Sequence, residues 1–232
     1  MNNLKAYCEA LSTGVKQTGQ SVEEPAEINL RAGKLKMMLR EGALRYISAG
    51  SDEVLRMIYA AVRGKNWITV KPVISDQKYD IKSDCFRIKY TCNYISNEID
   101  FTARFDFTGS QDNTLVLSME GIANKSFLKN RIGFCILHPI ENCAGNNCTI
   151  EHTDGSSESL LFPEEISPHQ VFLDIKSMSW QTNKTQCMID FEGDIFETED
   201  QRNWTDASFK TYSTPLSIPF PVLIEKGARI YQ

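Results

Sequence analysis

The sequence predicts an all-β protein: a large antiparallel β-sandwich of two extended sheets, with at most one short N-terminal helix. Three observations carry this prediction. Phe86, Ile88, Tyr90, Cys92 and Tyr94 alternate with Arg87, Lys89, Thr91 and Asn93, and the same period recurs at Ile99, Phe101, Ala103, Phe105 and Phe107. A period of two places one side of each strand in a core and the other in water. Short polar turns such as Gly109-Ser110 and Asp112-Asn113 join these runs and lead into Leu115, Leu117 and Met119, which makes an antiparallel meander. Finally, turn signals recur at regular intervals without an internal repeat, which favours a sandwich over a propeller.

Taken in order, Leu4, Tyr7, Cys8 and Leu11 have helical spacing, and residues 13–25 are polar and read as a loop. We therefore divide the chain into an N-terminal extension, 1–26, and a sandwich domain, 27–232. Residues 34–40 and 43–49 form a hairpin about Glu41-Gly42, because glycine supplies the positive φ of a tight turn. Residues 54–62 fit helical spacing, yet their β-branched content and strand neighbours favour a strand. Residues 66–74 are β-rich and broken by Pro72, which suggests an edge or a bulge. Residues 131–138 are apolar on both faces, as in a central strand covered on both sides. Two short strands follow around Ile150 and Leu160. Prolines 163 and 168 make 162–170 a rigid loop and bar a helix. Residues 171–175, 177–180, 187–196 and 228–231 complete the strands.

Composition excludes several functions. The 232-residue chain can bury a core without staples, and its 41% hydrophobic and 24% charged content is that of a globular protein. A net charge of −5 with no basic run argues against nucleic acid. No apolar window of about 18 residues occurs, so no membrane span is expected. The N-terminus lacks a signal pattern, which points to the cytoplasm. Seven cysteines are an odd number in a chain of this size, which argues against a disulfide framework. Cys143, Cys148 and His152 are too loosely spaced for a zinc knuckle. Neither a metal nor a cofactor is expected. Serine-hydrolase elbows, phosphate loops, dinucleotide fingerprints and His-Glu-x-x-His are all missing.

Chemistry concentrates in residues 197–212. This stretch offers Glu197, Glu199, Asp200 and Asp206 as acids, Arg202 and Lys210 as cations, Gln201 and Asn203 as amides, and Trp204, Phe209 and Tyr212 as flat faces. Such a mixture suits a polyol or sugar acid: amides and carboxylates meet hydroxyls, a cation meets a carboxylate, and an aromatic meets a ring face. The competing reading is a surface turn whose charges pair among themselves. Glu199, Asp200 and His169 are the candidate catalytic residues. Arg202, Asn203, Trp204, Asp206 and Lys210 are candidates for binding. Arg131 joins them as a planar carboxylate clamp, His138 as the end of a buried strand, and Asn66-Trp67 as a second amide–indole pair like Asn203-Trp204.

Residues 192–194 (Glu-Gly-Asp), 199–212, 130–139 and 162–170 together closely resemble segments of D-apionate lactonase-type proteins. Weaker echoes occur at 41–47 and 63–70, so the resemblance runs from about residue 30 to the end. It implies an N-terminal β-sandwich domain that in longer family members precedes a TIM-barrel-like domain and a C-terminal β domain. It also implies hydrolysis of D-apionolactone to the open acid. The expected ligand is a small sugar acid or lactone, and the expected partner a catalytic barrel in the same or another chain. The 199–212 motif then either lines a shared cleft or docks the barrel. Two rivals remain: a stand-alone carbohydrate-binding sandwich, and a mutarotase-like epimerase using His138, His169 and a carboxylate.

Overall fold

The computed structural model describes residues 11, 15, 16, 19 and 25–232. The helix expected at 4–12 lies outside the described residues but for Leu11. Within them seventeen strands form two sheets, and every strand pair is antiparallel. The all-β sandwich is therefore observed. No helix among these residues is long and apolar enough to cross a membrane.

The larger sheet begins with β1 (Ile28–Ala32), β2 (Leu35–Arg40), β3 (Ala43–Ala49) and β4 (Asp52–Gly64) in sequential order. The turn between β2 and β3 has φ of +49° at Glu41 and +74° at Gly42, a left-handed pair that matches strand twist. A Cβ on Gly42 would lie 3.2 Å from both Tyr90 and Ile74. The Tyr90 hydroxyl donates to the Gly42 carbonyl at 2.7 Å and pins this hairpin to the other sheet.

The chain then leaves to build the smaller sheet from β5 (Pro72–Ile81), β6 (Phe86–Ile95), β7 (Asp100–Gly109) and β8 (Leu115–Ala123). Pro72 opens β5 and β5 is an edge strand, where a missing N–H costs least. β5 extends to Ile81 through polar residues whose sequence carries no alternation.

β9 (Phe127–Pro139) returns to the larger sheet and lies between β4 and β15 (Ser208–Ser213). This is the central strand expected at 131–138. The sheet continues through β14 (Phe196–Asp200), β12 (Phe172–Gln181), β10 (Asn147–His152) and β11 (Ser157–Leu161). β13 (Gln186–Asp190) pairs with β12, β16 (Val222–Ile224) with β9, and β17 (Arg229–Tyr231) with β8.

Three details depart from expectation. The stretch 187–196 is two strands, because Gly193 turns the chain at φ +88°, where a Cβ would strike the Tyr231 carbonyl oxygen at 1.9 Å. The stretches 171–175 and 177–180 are one strand, β12, with a register shift against β14. A four-residue helix, α1 (Ile140–Cys143), follows Pro139, whose φ of −66° suits the residue before a helix.

Aromatic contacts join the two sheets. Phe134 of β9 packs against Phe105 and Phe107 of β7, with ring centroids 6.1 and 6.3 Å apart. Farther along the larger sheet, Phe162 contacts Phe172, Phe209, Trp180 and His138. Phe134→Ala removes the ring at the junction of the sheets, and we expect it to lower unfolding stability in urea by about 3–5 kcal/mol.

Candidate functional site

Alternation on the central strands of the larger sheet separates two chemistries. Arg63 pairs with Arg131, Cys135 with Tyr212, Tyr212 with Glu197, and Lys210 with Glu199 across β4, β9, β15 and β14. These side chains share the face turned away from the smaller sheet. Val62, Ile132, Phe134, Ile136, His138, Phe209, Thr211 and Phe196 alternate with them and face the core.

A cavity of about 390 Å³ lies on the outward face. Arg63, Arg131, Cys135, Glu199, Lys210 and Tyr212 are among the residues of its floor and sides, and Trp67, Trp204, Gln201 and Leu216 also line it. Trp67 comes from the loop after β4, where it adopts a φ of +64°. Trp204 ends a short 3-10 helix (Gln201–Trp204) and is 66% exposed. A strap of residues 214–221 passes over the floor.

Arg131 is 6% exposed. Its guanidinium lies 5.1 Å from the Trp67 ring, 5.2 Å from Tyr212 and 5.5 Å from Phe220. One terminal nitrogen donates to the carbonyl of Thr214 and, at 3.4 Å, to that of Pro215. The other is buried without a partner. Burial lowers the Arg131 pKa, and nearby Tyr212 and Glu197 oppose this.

Lys210 forms an ion pair with Glu199, which also accepts from Gln201 Nε2 at 2.8 Å. Glu197, 1% exposed, accepts from the Tyr212 hydroxyl at 2.5 Å and from the Leu216 amide at 2.7 Å. Burial raises the Tyr212 pKa, and Glu199 and Glu197 raise it further, so the phenol remains a donor. Tyr59 and Cys135 extend the floor as a small cluster with Ala61 and Tyr212, and burial raises the pKa of both.

The structure thus brings Arg131, Lys210, Glu199, Trp67 and Trp204 of the expected site together. The others are placed elsewhere. Asp200 is 1% exposed and caps the 3-10 helix, accepting from the Arg202 and Ser167 amides at 3.0 Å. Burial pushes its carboxyl up, but the bonds from Arg202 and Ser167 outweigh this and hold its pKa below the usual range. Arg202 binds Asp200 at 2.7 Å and donates to the carbonyls of Pro163, Glu164 and Glu165. Asn203 donates to Ser167 and Asp200 carbonyls. This trio fastens the proline-framed loop to the sheet, so the expectation of self-paired charges describes it well. Asp206 is exposed and accepts from Ser208. His169 and Asn66 are exposed and do not line the cavity.

His138 is fully buried on the core face. Its Nε2 meets Thr211 Oγ1 at 2.8 Å, and its Nδ1 has no partner. Neither histidine reaches the cavity.

Glu197, Gln201 and Tyr212 stand out in sequence as members of the 197–212 stretch but not as candidate catalytic or binding residues, and Arg63, Cys135 and Leu216 are not among the candidates. Parity was the available signal. Glu197 and Glu199 share a face that Asp200 does not, and Arg131 and Cys135 share one that His138 does not. The strap residue Leu216 gave no signal. Among the described residues, no group of three His, Cys, Asp or Glu side chains is arranged to hold a metal.

A larger groove, of about 710 Å³, lies against the smaller sheet. Two of its carboxylates are already held, Asp106 by Lys89 at 3.0 Å and Arg87 at 2.6 Å, and Glu120 by Arg229 at 2.6 Å. We therefore centre the site on the smaller cavity, where a buried donor is unmatched.

Burial depresses the His138 pKa to about 3, from 6.5 for the free side chain. The unfolded chain thus takes up a proton that the folded chain refuses. The folded state keeps this contribution above pH 6.5 and loses it progressively as pH falls toward 3, by an amount on the order of 4 kcal/mol. His138→Gln is expected to flatten the stability profile between pH 6.5 and 4, measured by urea titration at stepped pH.

Comparison with known proteins places these features in context. Residues 15–232 match the family model described as D-apionate lactonase, N-terminal domain. A D-apionate lactonase from Brucella anthropi is 35% identical over 224 residues, covering 92% of this chain and 36% of the relative's length. The chain therefore spans about a third of that protein. A galactose mutarotase-like protein from Lactobacillus casei has a similar fold, with a TM-score of 0.59 at 12% identity, covering 89% of this chain and 97% of that one. With the family model matched over nearly all of its length, the chain belongs to the D-apionate lactonase N-terminal domain family.

Proposed function

We propose that this domain supplies the sugar pocket of a lactone hydrolase of the D-apionolactone to D-apionate class. The observation that carries this reading is the buried Arg131 guanidinium, with one nitrogen unpartnered, in a cavity bounded by two tryptophans and the Lys210–Glu199 pair. A buried donor without an acceptor costs free energy that a ligand oxygen would recover. Trp67 and Trp204 offer flat faces to an apolar ring face.

Lactone hydrolysis requires a base for water, donors for the developing oxyanion and an acid for the leaving alkoxide. In this reading Glu199 accepts the proton of the attacking water. Arg131 stabilises the oxyanion, and Lys210 returns a proton to the ring oxygen as it leaves. The family relationship and the greater length of the relative support a further domain of barrel type packed against this one, which would complete the machinery. The six described cysteines are free thiols, which supports a cytoplasmic location.

A second reading has its own support. The mutarotase-like fold and the self-contained cavity favour sugar binding by this domain alone, with catalysis elsewhere in the full-length protein.

Calorimetric titration of D-apionolactone and D-apionate into the chain tests the pocket. Trp204→Ala removes an exposed wall without disturbing the core, and should weaken binding roughly three- to tenfold. Unchanged binding would detach the cavity from the ligand. In the full-length protein, Glu199→Gln should lower kcat at least ~100-fold with little change in KM. A variant with full turnover would leave Glu199 a binding residue and favour the second reading.

A further inference from the structure

We infer that the cavity also holds the open-chain acid released by that hydrolysis, through its carboxylate and in preference to a neutral sugar, with Arg63 and Arg131 as its receptor. This rests on the pocket reading above and narrows it to a ligand class.

The argument begins with charge. The cavity is lined by three cations, Arg63, Arg131 and Lys210, and one anion, Glu199. Lys210 and Glu199 neutralise one another. Among the described residues, neither arginine forms an ion pair with a carboxylate. Glu197, the other nearby acid, is occupied by two neutral donors, the Tyr212 hydroxyl and the Leu216 amide. Arg131 in turn is held by neutral partners only: the carbonyls of Thr214 and Pro215, and three ring faces.

Glu197 acts on Arg131 through space without a direct ion pair, so the three cations and two acids leave one net positive charge in a partly closed space. A buried ion is costly unless it is paired, so this excess marks a place that an anion completes.

Geometry agrees with charge. Arg63 and Arg131 are direct cross-strand partners on β4 and β9, and both line the cavity. The other terminal nitrogen of Arg131 is taken by Thr214 and Pro215, so the unpartnered one offers a single fixed, charged donor, and the neighbouring Arg63 would supply the donor for the second carboxylate oxygen. A hydroxyl or a lactone carbonyl offers only one acceptor oxygen and no charge. The surrounding Trp67, Tyr212 and Phe220 rings exclude water from the guanidinium, which strengthens its attraction for an anion.

The experiment compares D-apionate with its neutral amide, which has nearly the same shape without the charge. Both are titrated calorimetrically at pH 7 into the 232-residue chain, with D-apionolactone alongside. The acid should bind at least tenfold tighter than the amide, with an affinity that falls as salt rises. Arg131→Gln should abolish that preference. Arg63→Gln, at a half-buried position outside the core, should reduce it severalfold and guards against misfolding of the first variant. Equal binding of acid and amide, or a preference that survives both substitutions, would overturn the carboxylate assignment while leaving a sugar pocket in place. Failure of all three ligands to bind the folded chain would overturn the pocket reading as well.

Discussion

Strand β9 carries the constraint on which the rest depends. It is hydrogen-bonded to β4 on one side and β15 on the other, so its backbone cannot shift without breaking two ladders. Its even-numbered side chains from Ile132 to His138 are locked into the core, and Phe134 ties them to the smaller sheet. With the register fixed, Arg131 and Cys135 have nowhere to go but the opposite face. Slipping the register by one residue would exchange the two sets and place a guanidinium among phenylalanines. Core packing is thus what holds the site's charges in place.

The same logic extends to β14 and β15, but with a division of labour between neighbours in sequence. Glu199 and Lys210 face the cavity, while Asp200 and Phe209 face inward and are reinforced by Arg202. The motif at 199–212 is both a site wall and a structural clasp. Asp200, Arg202 and Asn203 hold the loop at 163–167 and cap the 3-10 helix, and that helix presents Trp204.

Sequence reading captured the strands because period-two alternation reports burial directly, as at 86–94 and 99–107. It captured the chemical character of 199–212 for a different reason: a dense run of acids, amides and aromatics is visible without any fold. It did not sort Glu199 from Asp200, or Lys210 from Arg202, because both members of each pair have the same chemistry. Strand parity, applied to the acids as it was to the apolar residues, distinguishes Glu199 from Asp200. The contribution of Arg63 and Leu216 was not legible, since long-range pairing and a non-repetitive strap leave no local pattern. His138 showed the converse hazard, where a titratable residue at a strand end proved to be packed among Phe162 and Trp180. Strand β5 was read short because its outer residues face water on an edge and lack the apolar partners that produce alternation.

The strap over the cavity floor is fastened by the floor itself. The carbonyls of Thr214 and Pro215 rest on Arg131, and the amide of Leu216 rests on Glu197. The roof is therefore already ordered before any ligand arrives, and binding need not immobilise it. Ordering a rotamer-rich side chain on association typically costs about 0.5–1.5 kcal/mol, and here that loss of freedom has been moved from the binding step to folding. In the proposed pocket, rigidity at this mouth would contribute entropically to affinity, with Arg131 holding the strap by one nitrogen and keeping the other for the ligand.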